Sequence, residues 1–212
     1  MRKTNRLILV AVVLCALGQL VAQPLELPPP QKSGGLPLMD ALAKRATARA
    51  FDPRDLPRQE LSNLLWAAFG INRPDGKRTA PSARNYQEAD IYVLLKQGVF
   101  VFDAAKHQLA QISAEDARAL GGVQPFVKDA PVTLVLVADL AKMGSSSNDD
   151  KKTYAYTDAG YLSQNIYLYC ASAGLATGAR AMVDRAALAP KLKLRADQLI
   201  ILAQSVGYPV KP

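Results

Sequence analysis

DAGYLSQNIYLYCASAGLATG, residues 158–178, is the stretch around which the rest of this chain takes its place. Apolar or small residues stand at Ala159, Leu162, Ile166, Tyr167, Leu168, Cys170, Ala171, Ala173 and Leu175. At 3.6 residues per turn they cover most of a helix circumference instead of one stripe. A helix that is apolar nearly all round has to be covered on nearly all sides. Two arrangements satisfy that: a central core helix in a monomer, or a helix whose outer face is buried by a second copy of the chain. Asp158 reads as its N-cap and Gly174 as the residue where it stops.

Working outward, the chain of 212 residues is long enough for one sizeable core. Its N-terminus reads differently from the rest. Arg2, Lys3 and Arg6 precede an uncharged apolar run over residues 7–17, with small residues at Ala16, Gly18 and Ala22. That is the pattern of a secretory signal over residues 1–22, and it implies a periplasmic or secreted protein. An uncleaved membrane anchor is the rival, but the run is shorter than the ~20 apolar residues a comfortable span requires. Association with a membrane is expected only in that uncleaved case. Residues 23–37, with PLELPPPQKSGGLP at 24–37, are rich in proline and glycine and read as an extended tether. The folded domain is expected over residues 38–212.

Removal of residues 1–22 lowers the formal charge from +8 to +5. The remaining basic residues are interspersed with acids and form no aromatic-flanked block, which argues against nucleic-acid binding. Cys170 is the only cysteine outside the export segment, so no internal disulfide is expected, and its apolar neighbours mark it as a buried small hydrophobe. His107, the only histidine, falls in a turn where a surface role is expected.

Helical spacing appears at 38–48, with Leu38, Leu42 and Ala46 on one side, and at 60–69 after Pro57, ending at Gly70. Strand-like runs occupy 91–95 and 99–102, joined by Gln97-Gly98, and 109–112 follows. A short helix is expected at 113–120 from its Ser-Ala-Glu-Asp start. The β-branched and leucine run at 132–137 reads as a strand covered on both faces. Residues 143–152 read as a mobile loop. After the long helix, 179–183 is extended, 184–192 a short helix and 198–206 a second buried strand. The sum is an α+β domain with an antiparallel-rich sheet flanked by helices.

Most catalytic patterns are missing: no Cys-x-x-Cys, no histidine cluster, no metal set, no Gly-x-Ser-x-Gly, no Gly-x-Gly-x-x-Gly after a strand. Chemistry, if present, is expected from a cofactor. Two polar clusters stand out. In the first, KRATARAF at 44–51, Arg45 and Arg49 are four apart and would share a helix face, with forked guanidiniums suited to phosphate and carbonyl oxygens. The second is the loop TAPSARN at 79–85, whose small residues let backbone approach a flat ligand while Ser82 and Asn85 offer hydrogen bonds.

Together these clusters resemble the nitroreductase family of FMN-dependent oxidoreductases. The family's Arg-x-Ser/Thr-x-Lys/Arg-x-Phe signature is matched by Arg45, Thr47, Arg49 and Phe51, and its Pro-Ser-x-x-Asn-x-Gln loop by Pro81, Ser82, Asn85 and Gln87. LSNLLWAAFGIN at 61–72, GLATG at 174–178 and the ending VGYP at 206–209 match further family segments in the same order. The resemblance implies an intertwined homodimer with FMN at the subunit interface. Arg45 would then hold the phosphate, and Thr47 and Arg49 the ring's pyrimidine edge and ribityl chain. Pro81, Ser82 and Asn85 would contact the flavin from the neighbouring subunit, and backbone near Arg180 and Ala181 would face flavin N5. Many relatives continue with a basic segment that grips the phosphate; Lys211 is its only counterpart here.

The implied activity is hydride transfer through flavin N5 between an NAD(P)H-like reductant and a small acceptor such as a quinone or nitroaromatic. A non-catalytic flavin-fold binding module of the cell envelope is the alternative. The chain looks most like the branch containing thiazoline-oxidising peptide dehydrogenases, which act in the cytosol, so the export segment implies a different task.

Overall fold

The computed structural model describes residues 24–210. In chain order its elements are β1 (Leu25–Glu26), α1 (Leu38–Lys44), α2 (Arg58–Phe69), β2 (Ala89–Leu95), β3 (Gly98–Asp103) and β4 (Gln108–Ser113). These are followed by β5 (Val132–Asp139), α3 (Asn148–Ala173), β6 (Ala176–Arg180), α4 (Arg185–Lys191) and β7 (Gln198–Gly207). The predicted export segment and Lys211 lie outside the described residues.

All seven strands join one sheet in the order β1-β4-β3-β2-β5-β7-β6, and every pairing is antiparallel. β5 lies between β2 and β7, and all eight of its residues are buried, as expected for its β-branched and leucine run. Alternate side chains go to opposite faces. Leu134 and Leu136 pack with Ile91, Val93 and Ile201 against α2 and α3, while Val135 and Val137 pack with Leu94 and Ala203 against Leu188 and Leu192 at α4. The result is a sheet with a two-helix layer on one face and a smaller helical cover on the other. Among the described residues no helix is long and apolar enough to cross a membrane.

α3 is longer than expected. It begins at Asn148, capped by Ser147, whose hydroxyl accepts the Asp150 N–H at 3.1 Å, with Asp149 and Asp150 favourably placed in the first turn. The second half of the predicted mobile loop at 143–152 is therefore helix, with residues 144–147 left as a turn before it, and Asp158, expected as the N-cap, is buried in the middle of α3. The polar first turns hid this start, because local composition cannot show that one side meets the sheet. The end is as expected: Gly174 takes φ 70, and the Leu175 N–H reaches the Cys170 carbonyl at 2.8 Å. Within the chain α3 buries one stripe, Ala155, Asp158, Ala159, Leu162, Ser163, Ile166 and Cys170, and leaves Tyr156 and Tyr161 exposed. Burial pushes the Cys170 thiol well above its usual value, consistent with an inert packing role.

Three further expectations are corrected. The predicted tether at 23–37 is, over its described part, a docked strap. Leu25 and Glu26 pair with β4, Leu27 is buried, Ser62 Oγ donates to the Pro28 carbonyl, and the Leu36 N–H donates to Ser172 Oγ at 2.7 Å. His107 is half-buried under this strap instead of on an open surface: because the Ser62 hydrogen is given to Pro28, Nε2 of His107 is the donor to Ser62 Oγ at 2.7 Å. Burial holds its imidazole below the ordinary value. Finally, residues 113–120 form the end of β4 and lead into a 3-10 turn at Arg118–Gly121, not an α-helix; the seven residues between Ser113 and the Gly121-Gly122 pair leave little length for one.

Candidate functional site

The first predicted cluster follows α1, which ends at Lys44. Arg45 has extended backbone angles (φ −56, ψ 120), so Arg45 and Arg49 do not share a helix face as their spacing suggested. In an extended segment alternate residues share a side, and the alternation Arg45, Thr47, Arg49 serves that geometry instead. The segment is held by the last part of the sheet. Ala48 N–H donates to the Thr177 carbonyl at 2.8 Å, and a Cβ on Gly178 would lie 2.5 Å from the Ala48 carbonyl oxygen, so only glycine permits this approach.

Tyr167 on α3 ties the same parts together. Its phenol oxygen accepts the Ala179 N–H at 2.9 Å, which frees its own hydrogen for Thr47 Oγ1 at 3.1 Å. The Arg45 guanidinium lies 5.4 Å from the Tyr167 ring centre, a cation–π contact worth roughly 0.5–1 kcal/mol at an exposed site. Arg45, Thr47 and Arg49 are all exposed, and Arg49 has no ion-pair partner among the described residues. A cavity of about 200 Å³ opens beside the segment, lined by Lys44, Ala46, Ala48, Tyr167, Thr177 and Pro209. The exposed guanidiniums of Arg45 and Arg49 therefore face solvent at the edge where 45–49 meets β6.

The second cluster, the loop at 79–87, is stitched to the end of α2. Thr79 N–H donates to Gly70 O at 2.9 Å, and Ser82 Oγ accepts the Gln87 N–H at 3.0 Å. Ala83 N–H donates to Asp158 Oδ2 at 2.8 Å, and the Tyr86 hydroxyl lies 2.9 Å from Ser146 Oγ. Arg84, Asn85 and Gln87 have φ of 50, 57 and 48. Asparagine tolerates this region, but for Arg84 and Gln87 it costs on the order of 1 kcal/mol each. The cost is offset by fixed partners: Arg78 Nε donates to Gln87 Oε1 at 2.8 Å, and Gln87 Nε2 to Asn85 Oδ1 at 3.1 Å. Pro81 and Asn85 stay exposed at the tip.

Of the other predicted residues, Ala181 is exposed just after β6 and its backbone is at the same edge as the first cluster. The Arg180 side chain is not. It is 8% exposed, donates from Nε to Gly121 O at 2.7 Å and from Nη1 to Gly178 O at 3.3 Å, and leaves Nη2 without a hydrogen-bond partner among the described residues. Burial lowers its guanidinium to about 10.

Within one chain the two clusters do not meet. The first is anchored at Tyr167 and the second at Asp158, nine residues apart on α3, which is about 14 Å along the axis and half a turn around it. Sequence reasoning missed Tyr167 and Asp158 as anchors. In sequence Tyr167 belongs to the apolar circumference of the helix and Asp158 to its cap, and only their tertiary partners reveal the difference.

The match to known proteins runs through both clusters. The profile of the nitroreductase family matches residues 42–208. A protein of Methanocaldococcus jannaschii named as a nitroreductase is 31% identical over 150 residues, 66% of this chain and 76% of that protein. A crystal structure of a protein from Ralstonia eutropha, also named as a nitroreductase, has a TM-score of 0.85 at 39% identity, covering 89% of this chain and 90% of that one. Another from Anabaena variabilis has a TM-score of 0.70 at 21% identity over 82% of this chain and 38% of that longer one; it bears on the fold alone. With fold, segment order and profile in agreement from α1 to the end of β7, the chain belongs to the nitroreductase family.

Proposed function

We propose that this chain is an FMN-dependent oxidoreductase that works as a homodimer, with each flavin site completed by a second copy. The observation that carries the reading is the convergence of Arg45, Thr47 and Arg49 on β6 through the Ala48–Thr177 bond and Tyr167. When bound, FMN supplies hydride acceptance and release at N5, between an NAD(P)H-like reductant and a small acceptor such as a quinone or nitroaromatic.

The residues present fit such a group. Arg45 and Arg49 offer exposed guanidiniums for a phosphate and for carbonyl oxygens, and Gly178 lets the segment that carries them lie close against β6. Positive charge from Arg49 and a hydrogen bond from Thr47 would sit where negative charge builds up on reduction. Lys211 would add a cation at the phosphate end. The backbone near Arg180 and Ala181 would face the reacting edge. Pro81, Ser82 and Asn85 would reach the site of the other copy, because their anchor lies too far along α3 to serve the first cluster of their own chain.

An export role rests on residues 1–22, whose basic start and short apolar run suit a cleaved signal and a periplasmic or secreted protein. Titration of the purified chain with FMN, followed by visible absorption and then by turnover with NAD(P)H and a quinone, tests the proposal. Saturable flavin binding with turnover supports it. Flavin held without turnover by any donor or acceptor means a binding module, and no flavin binding overturns both.

A further inference from the structure

Glu88 directly follows the strained loop and is 1% exposed, with neither carboxylate oxygen hydrogen-bonded among the described residues. The space around it, walled by Ala89, Leu136, Ala138, Ala155, Ala159 and Ile201, has no room for a water molecule. Nothing in the reading of the flavin site employs this acid, yet an unpartnered buried carboxyl is costly to keep. Its neighbour explains why it is worth noticing. Asp158, 3% exposed on α3, is the residue that holds the Ala83 N–H at 2.8 Å and so fixes the loop to the helix.

The charged groups around Glu88 are few. Asp158 faces it from α3, and Lys142 from the 3-10 turn Leu140–Met143, where Lys142 is already paired with Asp90 at 2.6 Å. On the β5 side, Asp139 N–H donates to the Glu88 carbonyl at 2.9 Å, but the Asp139 carboxylate is turned to Arg195 at 2.7 Å. Burial, with the charge of Asp158 added to it, pushes the Glu88 carboxyl up to about 7.

We propose that Asp158 is a positioning residue for the 82–87 loop and that Glu88 is the proton switch that sets how firmly this loop is held. With its proton, Glu88 sits neutral beside the Asp158 carboxylate and the loop stays fastened. Loss of that proton to solvent leaves two carboxylates in a dry space, and the relief available is for the loop to lift and let water reach Glu88. The loop stores backbone strain at Arg84 and Gln87, so it has a reason to relax once released. The consequence for flavin rests on the reading of this loop as a cofactor contact.

The direction follows from linkage. The fastened loop holds the Glu88 proton more tightly than the lifted loop, in which the carboxyl returns toward its ordinary value. Fastening is therefore complete below the ordinary carboxylate range, weakens as pH rises toward 7 and changes little above it.

Hydrogen exchange of the flavin-free full chain, read on peptides spanning 82–88 and corrected for intrinsic exchange, tests this. Protection should fall about tenfold from about pH 5.5 to about pH 6.5 and level off above about pH 7. Glu88→Gln should flatten the profile, and Asp158→Asn should move its fall to lower pH. A wild-type profile flat across this range overturns the switch, and that measurement stands even if neither variant folds. A Glu88→Gln profile that still falls also overturns it. FMN affinity measured at the same pH values separates the two claims: no flavin binding at any pH, with the exchange profile as expected, sinks the flavin reading and leaves the switch.

Discussion

At Gly178 an added Cβ would lie 2.5 Å from the Ala48 carbonyl oxygen, whereas at Gly174 it would meet nothing within 4 Å and only the φ of 70 resists it. The two glycines predict different phenotypes. Gly178→Ala should push residues 45–49 off β6, costing about 1–3 kcal/mol in chemical denaturation and weakening FMN binding with it. Gly174→Ala should cost about 1 kcal/mol and leave the flavin titration unchanged, since it touches only the helix end. Arg49→Ala is the reverse case. Its side chain is exposed, so stability should stay within about 0.5 kcal/mol, while FMN affinity falls at least about tenfold for a lost charge-assisted contact. Unchanged flavin occupancy in that variant would remove Arg49 from the site.

At the scale of elements, the strap and α3 are each held by a few specific bonds. Leu27 is 8% exposed against the core beneath β4 and α2, so Leu27→Ala should lower stability by about 2–3 kcal/mol; a loose tether would show no change. α3 is set against β6 and β7 by a buried polar chain. Ser163 Oγ donates to Gln204 Oε1 at 2.8 Å, Gln204 Nε2 donates to Thr177 Oγ1 at 3.0 Å, and Thr177 Oγ1 donates to the Ser205 carbonyl at 2.9 Å. Replacing Gln204 with leucine strands Ser163 without a partner and should cost about 1–3 kcal/mol by urea unfolding. Replacing both Gln204 and Ser163 with apolar residues should recover part of that loss, a coupling a double-mutant cycle reads directly. This chain also sets the register of Tyr167 over the first cluster, so the packing of the helix and the shape of the site are one problem.

For the whole molecule, the question is what covers the outer side of α3. Tyr161 is 46% exposed, and Leu168 and Tyr167 are half-exposed along the same helix, next to the first cluster. A second copy laid there would bury both, and a stable pair of this kind removes more than about 1,000 Å² from water. Sedimentation equilibrium should therefore give a dimer. Leu168→Glu should shift it toward monomer and lower FMN affinity in step, because both follow from the same contact. A tight monomer that binds FMN fully would refute the shared site.

Much of this was legible in the chain itself. The run at 132–137 reads as a strand covered on both faces and Gly174 as a helix end, and the structure has both, whereas the four-residue spacing of Arg45 and Arg49 implies a shared helix face that the extended backbone after Lys44 does not provide. These are consequences of side-chain type and period, which local sequence carries. What only the tertiary structure decided depends on distant partners: that residues 24–37 are fastened by Ser62 and Ser172, that α3 starts ten residues before Asp158, and that Asp158 buries its charge to hold Ala83 beside an orphaned Glu88. A proline-rich segment, a polar helical turn and a lone aspartate have many local options of similar energy, and it is burial against another element that selects one of them.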